Sequence, residues 1–183
     1  MDHREPTRMS GLARLRRAIP ADAAGIAAVH QRCWYETYTG ILRRDLVLGR
    51  EPHEFTCLWT EALAPLSTWR SHVVEIPHGP ILGFATAGPI REPEGDADGE
   101  LIALYVLRRH QREGLGRILF EAARDTLATA GYRSMVARAL GLNPACGFYE
   151  HLGGRVLADA ERPFRGVLVH EMSYVWTLDA ATP

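Results

Sequence analysis

The sequence contains no apolar run long enough to cross a bilayer, no excess charge of either sign and no pairing pattern among its cysteines. Each absence removes a class of function. A formal net charge of -1 over 183 residues gives no general attraction to nucleic acid or anionic lipid, so any basic site must be local. Met1 to Arg17 is Arg-rich and polar with no apolar core, so no secretory signal is visible and a soluble, cytoplasmic chain with no membrane or nucleic-acid partner is expected. Cys33, Cys57 and Cys146 are odd in number and far apart. Without CxxC or Cys/His spacing they read as small buried hydrophobes in a reducing compartment, and no metal site is expected. The phosphate-loop pattern GxxxxGK[ST], internal repeats and low-complexity segments are also missing.

What is present is an ordinary globular composition, 46% hydrophobic and 23% charged, enough for one well-filled core. We expect a single domain over residues 12–177, with tails at 1–11 and 178–183. Leu12 to Ile19 reads as a strand, and Pro20 opens a helix carrying Ile26, Val29 and Cys33 on one face. A helical region from about Arg43 to Trp69 breaks near Gly49 and Pro52. Strands over His72–Ile76 and Ile81–Ile90 form a hairpin, followed by an exposed acidic loop from Arg91 to Gly99. Glu100 to Leu107 is a continuous apolar strand, and a helix runs from Gly114 to Ala130. A strand at Tyr132–Leu140, a short helix from Asn143 and strands at Arg155–Asp159 and Val167–Thr177 complete the chain. The pattern is α/β, an α+β arrangement with a mixed sheet and helices on its faces.

Two segments carry chemistry. In the first, the strand ending Leu104-Tyr105-Val106 runs into a turn, Gln111-Arg-Glu-Gly114-Leu-Gly116-Arg117, where a helix begins. Free N–H groups and the dipole at a helix start attract an anion, and glycine lets the backbone approach closely. With Arg108, Arg109, Arg112 and Arg117 nearby, the turn describes a cradle for a diphosphate. The second segment is Asn143-Pro-Ala-Cys-Gly-Phe-Tyr149-Glu-His-Leu-Gly-Gly154. Asn143 is a good N-cap, and Phe148 and Leu152 should share the core-facing side. Tyr149, rotated about 100°, is expected to turn away from that side, over the small Ala145.

Gln111-x-x-Gly114-x-Gly116 after Leu104-Tyr105-Val106 resembles the pyrophosphate-binding motif of the GNAT superfamily of acyl-CoA N-acyltransferases. The stretch from Asn143 matches that family's Asn-Pro-Ala-x-x-Phe-Tyr-Glu-x-Leu-Gly pattern position by position. Arg108, where proline is common, and Glu113, where a basic or neutral residue is usual, depart from it; Glu113 can point to solvent. The resemblance implies a GNAT-like three-layer fold, with a mixed, mostly antiparallel sheet. It implies that acetyl-CoA is the cosubstrate, held by the turn Gln111, Arg112, Glu113, Gly114, Leu115, Gly116 and Arg117. The backbone of Leu104, Tyr105 and Val106 would pair with the pantetheine arm, Asn143 would contact it, and Tyr149 would protonate the departing thiolate. A glutamate on the central strand often serves the family as base through water, which points to Glu100. A homodimer is expected by analogy alone.

The chemistry fits an amine acceptor. An alkyl ammonium with a pKa of about 10 must lose a proton before attack, and a leaving thiolate needs one. Trp34, Tyr35 and Tyr38 are expected to wall the acceptor pocket, and the acidic loop with Glu92, Glu94, Asp96, Asp98 and Glu100 to attract a cationic amine. Glu75, His72 and His30 are weaker base candidates. Three functions stay open: a small-molecule or polyamine N-acetyltransferase, a protein N-terminal or lysine acetyltransferase, and a non-catalytic coenzyme A sensor.

Overall fold

The computed structural model describes residues 13–178; the expected N-terminal tail and residues 179–183 lie outside them. Strand β1 (Arg14–Arg17) leads through a single turn at Pro20–Asp22 into α1 (Ala23–Tyr38), followed by α2 (Arg44–Leu48) and α3 (Pro52–Ala62). Then come β2 (Arg70–Glu75), β3 (Ile81–Pro89), β4 (Gly99–Val106), α4 (Leu115–Thr129), β5 (Ser134–Leu140), α5 (Ala145–His151), β6 (Arg155–Phe164) and β7 (Val167–Thr177).

The entry to α1 is set locally. Asp22 accepts the Ile19 N–H at 2.8 Å and pairs with Arg16, whose other nitrogen reaches Glu75 at 2.6 Å. One arginine thus ties β1, β2 and the helix start together. Farther on, α4 buries Leu115, Leu119, Phe120, Ala123 and Leu127 along one stripe, the large ones worth about 1.5–3 kcal/mol each.

The seven strands lie in the order β1-β2-β3-β4-β5-β7-β6, antiparallel except for β4 and β5. On one face, α4 and α5 pack with Leu101, Met135, Ala137 and Tyr174. On the other, α1 and α3 place Ile26, Phe55 and Trp59 against Val73 and Phe84. This is the three-layer, mixed and mostly antiparallel sheet expected.

Three boundaries differ from the sequence reading. The second helical region stops at Ala62, well short of Trp69, as the chain enters Leu-Ala-Pro-Leu. Strand β6 continues to Phe164 through Pro163, which the sequence suggested as a turn. Because β6 is the sheet edge, the missing N–H leaves no ladder bond unmade. Leu178, assigned to a tail, is buried, and its N–H donates to the Arg133 carbonyl at 2.9 Å.

One topological feature positions everything that follows. The β4–β5 pairing spans only Gly99↔Met135 to Leu101↔Ala137, whereas β4 stays paired with β3 to Val106. A register shift at Thr86/Ala87 gives β4 an extra residue at Ile102, where the strands part. The sheet therefore opens as a fork between the ends of β4 and β5.

Candidate active site

The Leu107 N–H donates to the Leu82 carbonyl, so strand alternation turns the N–H groups of Leu104 and Val106 away from β3. They face the fork. At its end the Gln111 side-chain amide donates to the Val106 carbonyl at 3.0 Å, bracing the turn to the strand. Arg112 and Gly114 both adopt left-handed backbone conformations, with φ of 64° and 85°. A Cβ at Gly114 would meet nothing within 4 Å, so glycine is required there by conformation and not by crowding. No side chain caps α4 at Gly114, which leaves the first-turn N–H groups of Leu115, Gly116 and Arg117 open to an anion. Gly116 lies under Phe148, 3.5 Å from the position of its absent Cβ. Glu113, expected at solvent, instead turns back toward His110, with its Oε2 buried and 3.7 Å from Nδ1.

Across the fork, Asn143 caps α5, its Oδ1 accepting the Ala145 N–H at 2.9 Å. Phe148 and Leu152 pack against the core as expected, but Tyr149, expected to turn away, is buried in it as well. Tyr149 is its buried residue at 6% exposure, whereas Phe148 and Leu152 are half-buried. The reason is β7: Tyr149 packs against the rings of Tyr174 and Trp176, both at 5.7 Å, and Trp176 Nε1 donates to the Leu152 carbonyl at 2.9 Å. The Tyr149 hydroxyl makes no hydrogen bond among the described residues. Burial first, then the proximity of Tyr38, pushes its pKa up, so it is a protonated phenol at neutral pH. Tyr105 and Tyr38 are shifted up by burial and sense each other, while Tyr38 also lies beside Asn143. Three phenols and Asn143 thus converge at the fork. The sequence reading valued Tyr105 for its backbone and missed its side chain.

Beside the fork lies a cleft of about 140 Å3 lined by Trp34, Tyr38, Leu42, Phe164, Arg138 and Glu171, among others. Trp34 and Tyr38 stack at 4.4 Å, and Trp34 Nε1 donates to the Val47 carbonyl. Tyr35 does not line the cleft; its hydroxyl donates to the Arg50 carbonyl at 3.2 Å.

Glu100 lies in a buried ion-pair cluster. One oxygen accepts from Arg91 at 2.6 Å and Arg138 at 2.9 Å, the other from the Arg91 N–H and Nε. Burial alone would raise its pKa, but the Arg91 hydrogen bonds and the charges of Arg91 and Arg138 prevail and hold it low. Glu94, also buried, accepts from Arg138, Arg162 and Ser173, and Asp98 accepts from the N–H groups of Arg133 and Ser134. Three of these acids are therefore committed to the protein itself, and Glu92 and Asp96 are the ones left exposed. Of the other base candidates, Glu75 and His30 are also tied down, whereas the buried Nδ1 of His72 has no hydrogen-bond partner among the described residues. Glu75 pairs with Arg16. His30 accepts from Trp59 on Nδ1 at 3.0 Å, and burial pushes its pKa down to about 3. His72, on β2, is lowered by burial and Arg17. Cys57 is exposed, not buried as its type suggested, and burial raises the half-buried Cys146 thiol. Among the described residues no metal-binding group of three His, Cys, Asp or Glu occurs, and no helix is long and apolar enough to cross a membrane.

The acetyltransferase (GNAT) family model matches residues 29–154, which include the fork, the glycine turn and α5. The chain belongs to the GNAT family of acetyltransferases. An uncharacterized N-acetyltransferase of Bacillus subtilis, YuaI, is 32% identical over 162 residues, 88% of this chain and 91% of that one. A phosphinothricin N-acetyltransferase of Streptomyces viridochromogenes is 31% identical over 138 residues, 73% of this chain and 71% of that one. The structure of YncA from Salmonella typhimurium with acetyl-CoA shares the fold, with a TM-score of 0.70 and 24% identity over 94% of this chain and 98% of that one.

This GNAT protein is an acetyl-CoA-dependent N-acetyltransferase, and its residues fit that donor. The open N–H groups of α4 and the left-handed turn suit a pyrophosphate, and the edge N–H groups of Leu104 and Val106 suit an amide-bearing chain lying in the fork.

Proposed function

We propose that the protein acetylates the primary amine of a small molecule by direct attack on the thioester, with Tyr149 as general acid. The observation that carries this reading is the Tyr149 hydroxyl: protonated, on a ring clamped by Tyr174 and Trp176, and without a hydrogen-bond partner among the described residues. A phenol so placed can give its proton to a departing thiolate, a contribution of about 10²–10⁴-fold. The donor supplies an activated acetyl carbonyl. The Val106 N–H, on the edge of β4 facing the fork, polarises its oxygen. The Leu104 edge and the first turn of α4 hold the donor in line, which contributes through orientation.

Glu100 takes a structural role in this scheme. With both oxygens accepting from arginines, it pins Arg91 and Arg138 at the root of the fork, where β4 and β5 are still paired. A small acceptor is favoured over a peptide by the cleft, which is about 140 Å3 and walled by Trp34, Tyr38 and Phe164.

The test is turnover of acetyl-CoA with a panel of small amines and of peptides, read by thiol release, with Tyr149→Phe alongside. Acetylation of small amines, lost in the variant while acetyl-CoA still binds, is expected. Acetylation of peptides alone, or a fully active Tyr149→Phe, would overturn the reading.

A further inference from the structure

Two charged side chains at the acceptor side lack the partners their neighbours have. Arg50, on the loop between α2 and α3, lies with its guanidinium carbon 4.2 Å from the centre of the Phe55 ring and 5.1 Å from that of Trp34. Its Nε is buried without a hydrogen-bond partner, and no carboxylate among the described residues pairs with it. The acid nearby, Glu54, is already bound to Arg165 at 3.0 Å. A guanidinium stays charged at any physiological pH, and leaving its donors unmet in a partly desolvated place costs stability unless a ligand meets them.

Glu171 is the complement. It lies on β7 opposite Leu140, the last residue of β5, and lines the cleft beside the open end of the fork. The acids around it are saturated, Glu94 by Arg138, Arg162 and Ser173 and Glu100 by Arg91 and Arg138. Glu171 makes no hydrogen bond or ion pair among the described residues. Burial raises its pKa against the pull of Arg138 and Arg162, as expected for a carboxylate lacking a close cation. Arg50 packs on Trp34, which lines the same cleft as Tyr38 and Glu171, so a small molecule beside Trp34 and Tyr38 lies between the two charges.

We propose that the acceptor is a zwitterion, a small primary amine bearing an oxyanion group, whose ammonium docks on Glu171 and whose oxyanion docks on Arg50. The direction follows from topology: Glu171 is at the fork, where the acetyl group is presented, and Arg50 is on the helical wall beyond. An α-amino acid and an aminoalkylphosphonate share this chemistry. The planar guanidinium suits either anion with two parallel hydrogen bonds. This inference rests on the small-molecule reading given above.

The experiment measures kcat/KM with acetyl-CoA for matched triplets: an L-α-amino acid, its phosphonate counterpart and its decarboxylated amine. An oxyanion-bearing member should exceed the plain amine by about 100-fold, the scale of one desolvated charge pair. The stronger of the two oxyanions identifies the class. Arg50→Gln should bring that ratio close to one, chiefly through KM. Glu171→Gln should raise KM for all three members and leave the ratio standing. Acetyl-CoA binding checks that each variant is folded. Because Arg50 also packs on two rings, Arg50→Lys provides a milder variant, which should lose about tenfold of the ratio. A wild-type preference for the plain amine, or a ratio that survives both Arg50 variants, would overturn the zwitterion proposal alone. Acetyl-CoA binding without acetylation of any small amine would overturn the small-molecule reading and this inference together.

Discussion

The two sides of the fork are built from different materials. The side proposed to hold the donor is mostly backbone: edge N–H groups of β4, a left-handed turn at Arg112 and Gly114, and the first turn of α4, all between residues 104 and 117. The side proposed for the acceptor is side chains from distant parts of the chain: Trp34 and Tyr38 from α1, Arg50 from a loop, Arg138 from β5, Phe164 and Glu171 from the last hairpin. Backbone chemistry is indifferent to most substitutions but intolerant of altered conformation, and side-chain chemistry behaves in the opposite way. A family can therefore keep one donor while its members differ in acceptor.

The largest expected effect lies between the two sides. Tyr149→Phe keeps the ring between Tyr174 and Trp176, so the urea midpoint should hardly move while kcat falls about 10²–10⁴-fold. Next comes Glu100→Ala, which takes the carboxylate from the half-exposed Arg91 and leaves Arg138 with Glu94 alone, and should cost about 1–3 kcal/mol in urea unfolding. Its companion Glu100→Gln sharpens the comparison: a variant with an unchanged midpoint but a collapsed kcat would return Glu100 to the role of base.

A smaller effect separates conformation from side chain on the donor side. Gly114→Val forces a β-branched residue to a φ of 85° and should cost about 1–2 kcal/mol or more, with a raised KM for acetyl-CoA. Arg117→Ala, which alters only a side chain beside the same N–H groups, should raise that KM less than tenfold. Equal effects from the two would break the contrast between backbone and side-chain recognition.

The smallest effect is a pH dependence under the acceptor wall. His30 has a folded pKa of about 3, against 6.5 for the free side chain. The unfolded chain therefore binds more protons between those values, and the His30 contribution to stability falls as pH is lowered through that window. The slope is at most about 1.4 kcal/mol per pH unit. Comparing urea midpoints of wild type and His30→Gln from pH 7 to pH 4 should show a shallower acid loss in the variant.

The strand-turn-helix at residues 100–130 and the helix near Asn143 were legible because their signals are local: an apolar run, glycines at a helix start, an N-cap followed by proline. The face of α5 was misread because helical spacing relates Phe148, Tyr149 and Leu152 to one another but not to Trp176, which decides which of them is buried. The acidic loop was misread for a similar reason. Glu94 and Glu100 look solvated in sequence, yet Arg138 and Arg162, which bind them beside the nearby Arg91, lie 38 to 68 residues away.

By itself, the sequence determined a mixed α/β fold with a glycine turn at a helix start and a tyrosine-bearing helix after it, since each rests on residues close together along the chain. Only the tertiary structure decided which charges are spent and which remain available. Neutralisation is a pairwise event across strands and loops, and among the described residues it left Arg50 and Glu171 without partners where Glu54, Glu94 and Glu100 found theirs.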